Sequence, residues 1–202
     1  MSELTSLKVY QLSTCLKDKA LGKKCQESDY CFTGTTFKKA QGALVEKGFK
    51  ITKVNDKVIK AEKNDVSFDF RPCSGGSVET HVKKNSKFTM DAIWEDENGQ
   101  VHNPIGGLED LMNKVLRTTS GTKKNGTAIR SLRYMVTHDM NPTSDLVEYL
   151  RSQEALVDLK TTSNYVLKKE LAAMMEKSVE KTLSTLSRTP LLRDYLLKQV
   201  TL

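Results

Sequence analysis

A segment from residue 111 to residue 138 holds six basic residues and no acidic one, in a chain that carries 25 acidic residues. Its basic residues are Lys114, Arg117, Lys123, Lys124, Arg130 and Arg133. Lysine and arginine side chains donate charge-assisted hydrogen bonds to phosphate oxygens, arginine often with two at once. The segment therefore favours contact with a polyanion, and the alternative is a solvated basic face, which is what charge runs usually are.

A loop rich in hydroxyl groups, glycine and lysine occupies residues 118–127 of this segment and leads into a predicted helix. The unbonded N–H groups at the start of a helix, together with the positive end of its dipole, suit a phosphate. Arg130 and Arg133 are three residues apart, so they share a helical face beside that start. We expect the loop and this face to clamp a phosphate chain. The loop lacks GxxxxGK[ST] spacing, so nucleotide hydrolysis is not indicated.

A second basic cluster and two aromatic residues are further candidates for nucleic-acid contact. Lys83, Lys84 and Lys87 are predicted at a turn between two strands. Tyr30 and Phe32 lie outside any periodic element, so they are the best candidates to stack on unpaired bases. The alternative for aromatic residues in such a chain is burial in the core.

No constellation of residues predicts catalysis or a metal centre. The three histidines stand alone, and the acidic run at residues 95–97 borders an Asn-Gly hairpin turn, where carboxylates are usually solvated. The four cysteines do not have the close pairing typical of zinc ligands. They are Cys15, Cys25, Cys31 and Cys73. Since the N-terminus does not resemble a secretory signal, we expect reduced thiols and a cytoplasmic location. Since the sequence has no nucleotide-binding or metal-binding motif, we expect no cofactor.

The elements that position these residues follow from hydrophobic periodicity. A helix begins near Phe37, capped by Thr35 or Thr36, and three short strands with period-two alternation follow over residues 49–70. Two more strands are predicted at residues 78–84 and 88–95. The later elements are predicted helices at residues 108–116, 127–137, 144–151 and 163–186, with a last one starting at Pro190.

These elements predict an α+β fold: an antiparallel β-meander sheet with one helix in the N-terminal half, followed by a helical C-terminal half. The β-rich half covers about residues 1–104 and the helical half about residues 105–202, without a linker, which predicts a single domain over 1–202. No apolar run approaches the roughly 18 residues of a membrane span. The Leu/Met stripe of the C-terminal helices belongs to the core or meets a partner protein or a second copy.

The net charge of +7 and the basic segment predict a non-enzymatic protein that binds single-stranded nucleic acid, with RNA favoured over DNA. A protein-interaction module, either an adaptor or an inhibitor acting through the C-terminal helices, is the alternative. A phosphoesterase or nuclease is the third class.

Overall fold

The computed structural model describes residues 7–22, 25, 27–119 and 125–200. It divides the chain into two compact units, Met1–Leu108 and Glu109–Leu202, which we call unit 1 and unit 2. The division lies close to the predicted change from β-rich to helical sequence, and the prediction of one domain stays a prediction. Within the described part of the chain, no helix has the length and apolarity to cross a membrane.

Unit 1 is built on a seven-stranded sheet with helices on its faces. In chain order its elements are β1 (Lys8–Leu12), α1 (Ser13–Ala20), β2 (Glu27–Thr33), α2 (Phe37–Glu46), β3 (Lys50–Val54), β4 (Ile59–Lys63), β5 (Val66–Pro72), α3 (Val78–Asn85), a 3₁₀ turn (Thr89–Asp91), β6 (Trp94–Glu95) and β7 (Val101–His102). The order of strands across the sheet is β3-β4-β5-β2-β1-β6-β7.

The sheet is mixed, which corrects the prediction of a purely antiparallel meander. Strands β3, β4 and β5 form the predicted antiparallel meander. However, β5 pairs in parallel with β2, with Asp29 opposite Asp69. A parallel pair needs a long crossover connection, here the segment with α2, β3 and β4, and period-two alternation does not reveal such a pairing.

Hydrophobic side chains pack against both faces of the sheet. On one face, Phe32 and Phe70 pack with Leu44 of α2. On the other, Cys31 packs with Val82 of α3. Because successive residues of a strand point to opposite faces, β2 contributes to both clusters. The predicted helix α2 is confirmed, including its cap, where the Thr36 hydroxyl accepts from the Lys39 N–H.

The two strands predicted at residues 78–84 and 88–95 are wrong. The first is helix α3, whose start is capped by Ser77 accepting from the Thr80 N–H. Val78 and Val82 are both buried on this helix, and a spacing of four satisfies a helical period as well as a strand period. The second is the 3₁₀ turn followed by the two-residue β6.

Unit 2 is helical, with one two-stranded parallel pair. After α4 (Gly107–Met112), which begins in unit 1, its elements are β8 (Val115–Leu116), α5 (Thr127–Thr137), β9 (Asn141–Pro142), α6 (Ser144–Arg151), α7 (Gln153–Thr161), α8 (Asn164–Lys177), α9 (Val179–Ser187) and α10 (Pro190–Val200). The predicted long helix 163–186 is two helices, because Ser178 adopts an extended backbone and caps α9.

Candidate active site

A row of charged side chains crosses three neighbouring strands of unit 1. Asp69 of β5 lies opposite Asp29 of β2 in the parallel ladder and opposite Lys60 of β4 in the antiparallel one. The Lys60 Nζ lies 3.0 Å from Asp69 Oδ1. The Arg71 Nη2 lies 3.1 Å from Asp69 Oδ2 and 3.6 Å from Asp29 Oδ1. Two like charges on adjacent strands repel each other, and here two cations flank the carboxylate pair.

An open pocket of about 270 Å³ lies at this row. Its walls include Asp29, Lys60 and Asp69, with the hydroxyl-bearing residues Ser67 and Thr52. Lys60 and Arg71 are about half exposed, whereas the carboxylates are more enclosed. Carboxylate oxygens, half-exposed cations and hydroxyl groups thus lie together at this pocket.

The start of helix α1 borders the same row. The Thr14 hydroxyl donates to Asp29 Oδ2 at 2.8 Å. Helix α1 begins at Ser13, directly after β1. The residue before it, Leu12, has no side-chain acceptor that could cap the first N–H groups of the helix. The first turn of an α-helix presents N–H groups and a positive dipole end. Donors for an anion therefore lie beside the carboxylate pair.

Sequence reasoning missed this site because its carboxylates become neighbours only through the β2–β5 pairing. One local signal exists, since Asp69 interrupts the apolar run Phe68-Asp69-Phe70, and aspartate is disfavoured in strands. Asp29 stands in the same position of an alternating strand, Ser28-Asp29-Tyr30. Lys60 was visible only as one of several lysines on a hairpin.

The predicted phosphate site at the start of α5 is already filled by a carboxylate. Asp158 accepts hydrogen bonds from the N–H groups of Gly126 and Ala128 at 2.5 and 2.8 Å, and from the Tyr149 hydroxyl at 2.9 Å. Burial, followed by the hydrogen bond to Asp158, raises the pKa of Tyr149. The helix start therefore binds a carboxylate of the protein itself, and the predicted contact with a nucleic-acid phosphate stays a prediction. Lys123 and Lys124 lie outside the described residues.

Three of the other four cations of the basic segment have acidic neighbours in unit 2. Arg130 and Arg133 share a face, as predicted, and both contact the enclosed carboxylate of Glu170, Arg133 at 2.7 Å. Arg117 donates two hydrogen bonds to Asp110, and this contact raises its pKa. Lys114 is exposed in a left-handed backbone conformation. Contact of these four residues with nucleic acid stays a prediction.

The second basic cluster lies on and after helix α3 rather than at a turn between strands. Lys83 forms an ion pair with Glu79 one helical turn away, Nζ to Oε1 2.6 Å. Lys84 is exposed on the same helix, and Lys87 is half-buried beyond its end. A role for these three lysines in nucleic-acid contact likewise stays a prediction.

Tyr30 and Phe32 belong to the core of unit 1, which corrects the expectation that they are exposed. Phe32 is 2% exposed, and Tyr30 stacks on Phe70 with ring centroids 5.2 Å apart. Burial raises the pKa of the Tyr30 hydroxyl. Both rings lie on the same face of β2, and Cys31 between them is buried on the other face. The stretch Tyr30-Cys31-Phe32 is therefore apolar throughout and shows no alternation in the sequence.

The cysteines also differ from expectation, since Cys15 and Cys25 form a disulfide. Cys15 lies on α1 and Cys25 shortly before β2, and their Cα atoms are 5.1 Å apart. Spacing along the sequence does not reveal this proximity. Cys31 and Cys73 have free thiols.

Comparison with known proteins gives consistent matches in sequence and fold, while no family model matches. The chain is 30% identical over 136 residues to the CCA-adding enzyme of Coxiella burnetii, covering 58% of this chain and 34% of that enzyme. It is 31% identical over 126 residues to the multifunctional CCA protein of Acinetobacter baumannii, covering 56% of this chain and 30% of that protein. The chain thus spans about a third of the length of these relatives.

Solved structures agree with this result. One is a tRNA nucleotidyltransferase complexed with a primer tRNA and an incoming ATP analog, with a TM-score of 0.80 and 18% identity over 92% of this chain and 58% of that one. Another is the Thermotoga maritima CCA-adding enzyme complexed with tRNA, with a TM-score of 0.80 and 18% identity over 93% of this chain and 48% of that one. The fold of this chain resembles that of these two proteins.

The expectation of a non-enzymatic nucleic-acid-binding protein is wrong. The proteins that resemble this chain in sequence and in fold are enzymes. The basic segment led to that expectation because charge alone does not separate a binding protein from an enzyme that acts on nucleic acid.

Proposed function

We propose that this chain carries the nucleotidyl-transfer unit of a tRNA-extending enzyme, using ATP or CTP as the donor. The observation that carries the proposal is the Asp29–Asp69 pair on an open sheet face in a chain with this fold. The sequence relatives are named CCA-adding enzymes, and the structural neighbours include complexes with tRNA, ATP and CTP.

In the proposed reaction, a terminal hydroxyl of the RNA attacks the α-phosphorus of the nucleotide. A new phosphorus–oxygen bond forms, the hydroxyl proton passes to water, and the bond to pyrophosphate breaks, with negative charge spread over the phosphate oxygens. Catalysis of such a step consists mainly of positioning and charge stabilisation. Lys60 and Arg71 can donate hydrogen bonds to those negatively charged oxygens. Both side chains are half exposed beside the pocket, so they can turn from the carboxylates to the phosphate.

The carboxylates fit a divalent ion that arrives with the nucleotide. Among the described residues, no three acidic, histidine or cysteine side chains converge on a metal position. Magnesium in nucleotide sites is held by one or two carboxylates together with the substrate phosphates, and Asp29 and Asp69 supply that number. When bound, such an ion neutralises developing charge on the phosphates. The Thr14 hydroxyl fixes the orientation of Asp29.

The pocket volume of about 270 Å³ is just below the range for small-molecule sites, roughly 300–1,000 Å³. It therefore suits one part of a nucleotide, which we assign to the phosphate chain because the pocket wall is mainly polar and charged. The first turn of α1, which the side chain of Leu12 does not cap, adds backbone donors to the same region.

The test is the rate at which the protein extends a primer tRNA with ATP and CTP in the presence of magnesium. We expect Asp29→Asn and Asp69→Asn to lower the rate by roughly 100-fold or more, since each removes a charge at the reacting phosphates. Asp56→Asn makes the same chemical change at an exposed turn between β3 and β4. This matched control should keep the parental rate.

Circular dichroism melting separates loss of catalysis from loss of fold. The two site variants should retain the folded signal, because their carboxylates are partly exposed. An Asp29→Asn protein that is folded and extends the primer at the parental rate excludes this carboxylate row as the active site.

A further inference from the structure

Two free thiols lie in contact where strands β2 and β5 end. The Cys31 Sγ and Cys73 Sγ are 2.8 Å apart. The Cys73 N–H donates to the Phe32 carbonyl oxygen at 2.9 Å, and the parallel ladder holds β2 and β5 in register. The backbone thus fixes both sulfur atoms. Formation of a disulfide, with an S–S bond of about 2.05 Å, needs a movement of less than about 1 Å.

The two thiols have different surroundings. Cys31 is fully buried in a cluster with Val78, Val82 and Trp94, whereas Cys73 is partly exposed. The Cys73 thiol donates to Cys31 Sγ, and only Cys73 is open to a dissolved peroxide, because Cys31 has no exposed surface. The thiolate is the reactive form of cysteine. Cys73 is therefore the accessible nucleophile. Cys31 is the buried thiol beside it, which can attack Cys73 once Cys73 is oxidised.

We propose that Cys73 and Cys31 form a redox-active pair that a hydroperoxide oxidises to a disulfide. The Cys73 thiolate attacks the peroxide, so that a sulfur–oxygen bond forms, the oxygen–oxygen bond breaks, and one water leaves after protonation. The Cys31 sulfur then attacks the Cys73 sulfur, and the sulfenic oxygen leaves as a second water. Two thiols lose two electrons and two protons, and hydrogen peroxide is reduced to two waters.

The disulfide joins the two strands that carry the carboxylate row. Cys31 follows Asp29 by two residues in β2, and Cys73 follows Arg71 by two residues after β5. The closed loop spans a sequence separation of 42 residues, and closing such a loop restricts the unfolded chain. Oxidation should therefore make the protein harder to unfold. This inference stands on the thiol geometry and does not depend on nucleotidyl transfer.

The test treats the whole folded protein with a small excess of hydrogen peroxide, counts its thiols in denaturant before and after the treatment, and maps the linked peptides. With Cys15 and Cys25 already paired, we expect two titratable thiols to fall to none, with a Cys31–Cys73 linked peptide. The melting midpoint should rise by roughly 5 °C or more. In Cys73→Ser, the buried Cys31 thiol should survive the same treatment, and the midpoint should not rise.

Two outcomes overturn the proposal. In one, both thiols of the parent protein remain titratable after peroxide treatment. In the other, Cys73 is oxidised to sulfinic or sulfonic acid while no linked peptide forms, which means that Cys31 does not reach it. Both outcomes are read on the parent protein, so they do not require that any variant folds.

Discussion

The carboxylate of Asp158 accepts from two backbone N–H groups at the start of α5 and from the Tyr149 hydroxyl. These donors would otherwise need water or a ligand, since the first N–H groups of a helix have no partner within it. The acid is supplied from α7, some 30 residues further along the chain. The count of charges along the sequence therefore overstated how far the basic segment lies from acidic side chains.

Removal of this carboxylate should destabilise unit 2. We expect Asp158→Ala to lower the free energy of unfolding by about 2–3 kcal/mol, because it removes a helix cap and leaves a buried tyrosine hydroxyl without its acceptor. Glu148→Ala, on the exposed side of α6, is the control and should change stability by less than about 0.5 kcal/mol. Urea denaturation measures both. Equal stability of the two variants would show that water replaces the carboxylate without loss.

At the scale of elements, the sequence predicted those with a local signal. Helix α2 has an N-cap threonine and an amphipathic face, and the β3–β5 meander has clear alternation between turn residues. Helix α3 was not predictable in this way, since its two buried valines fit either period. The parallel β2–β5 pair was also missed, because it depends on residues some 40 positions apart.

Helix α4 begins at a glycine that permits close approach of two backbones. A Cβ at Gly107 would lie 2.1 Å from the Thr89 carbonyl oxygen and 2.9 Å from the Met90 Cα. Backbone atoms cannot give way as a flexible side chain can. We expect Gly107→Ala to destabilise the protein by roughly 1–3 kcal/mol.

Gly42 in α2 is the matched control, since nothing lies within 4 Å of an added Cβ there. Gly42→Ala should stabilise the protein by about 0.5–1 kcal/mol, because alanine loses less backbone freedom in a helix. Thermal melting of both variants checks the pair. If Gly107→Ala melts at or above the parental midpoint, the close approach of α4 to the 3₁₀ turn is not present in solution.

At the scale of the whole molecule, composition and periodicity were sufficient for the fold class but not for the function. The α+β character and the change to helices after the sheet were predicted, whereas the mixed topology was not. The candidate site forms only when β2 and β5 pair. The sequence therefore did not indicate that Asp29 and Asp69 are neighbours. Most of the cations that the sequence analysis predicted to bind nucleic acid lie in unit 2, where several of them contact acidic residues.

The most direct test of the central proposal is the mass of a tRNA transcript lacking its 3′-terminal CCA, after incubation with the protein, CTP, ATP and magnesium. The proposal predicts that the transcript gains one or more cytidylate or adenylate residues, and that it gains none with folded Asp29→Asn. An unchanged transcript mass with the folded parent protein would contradict nucleotidyl transfer to tRNA as the function of this chain.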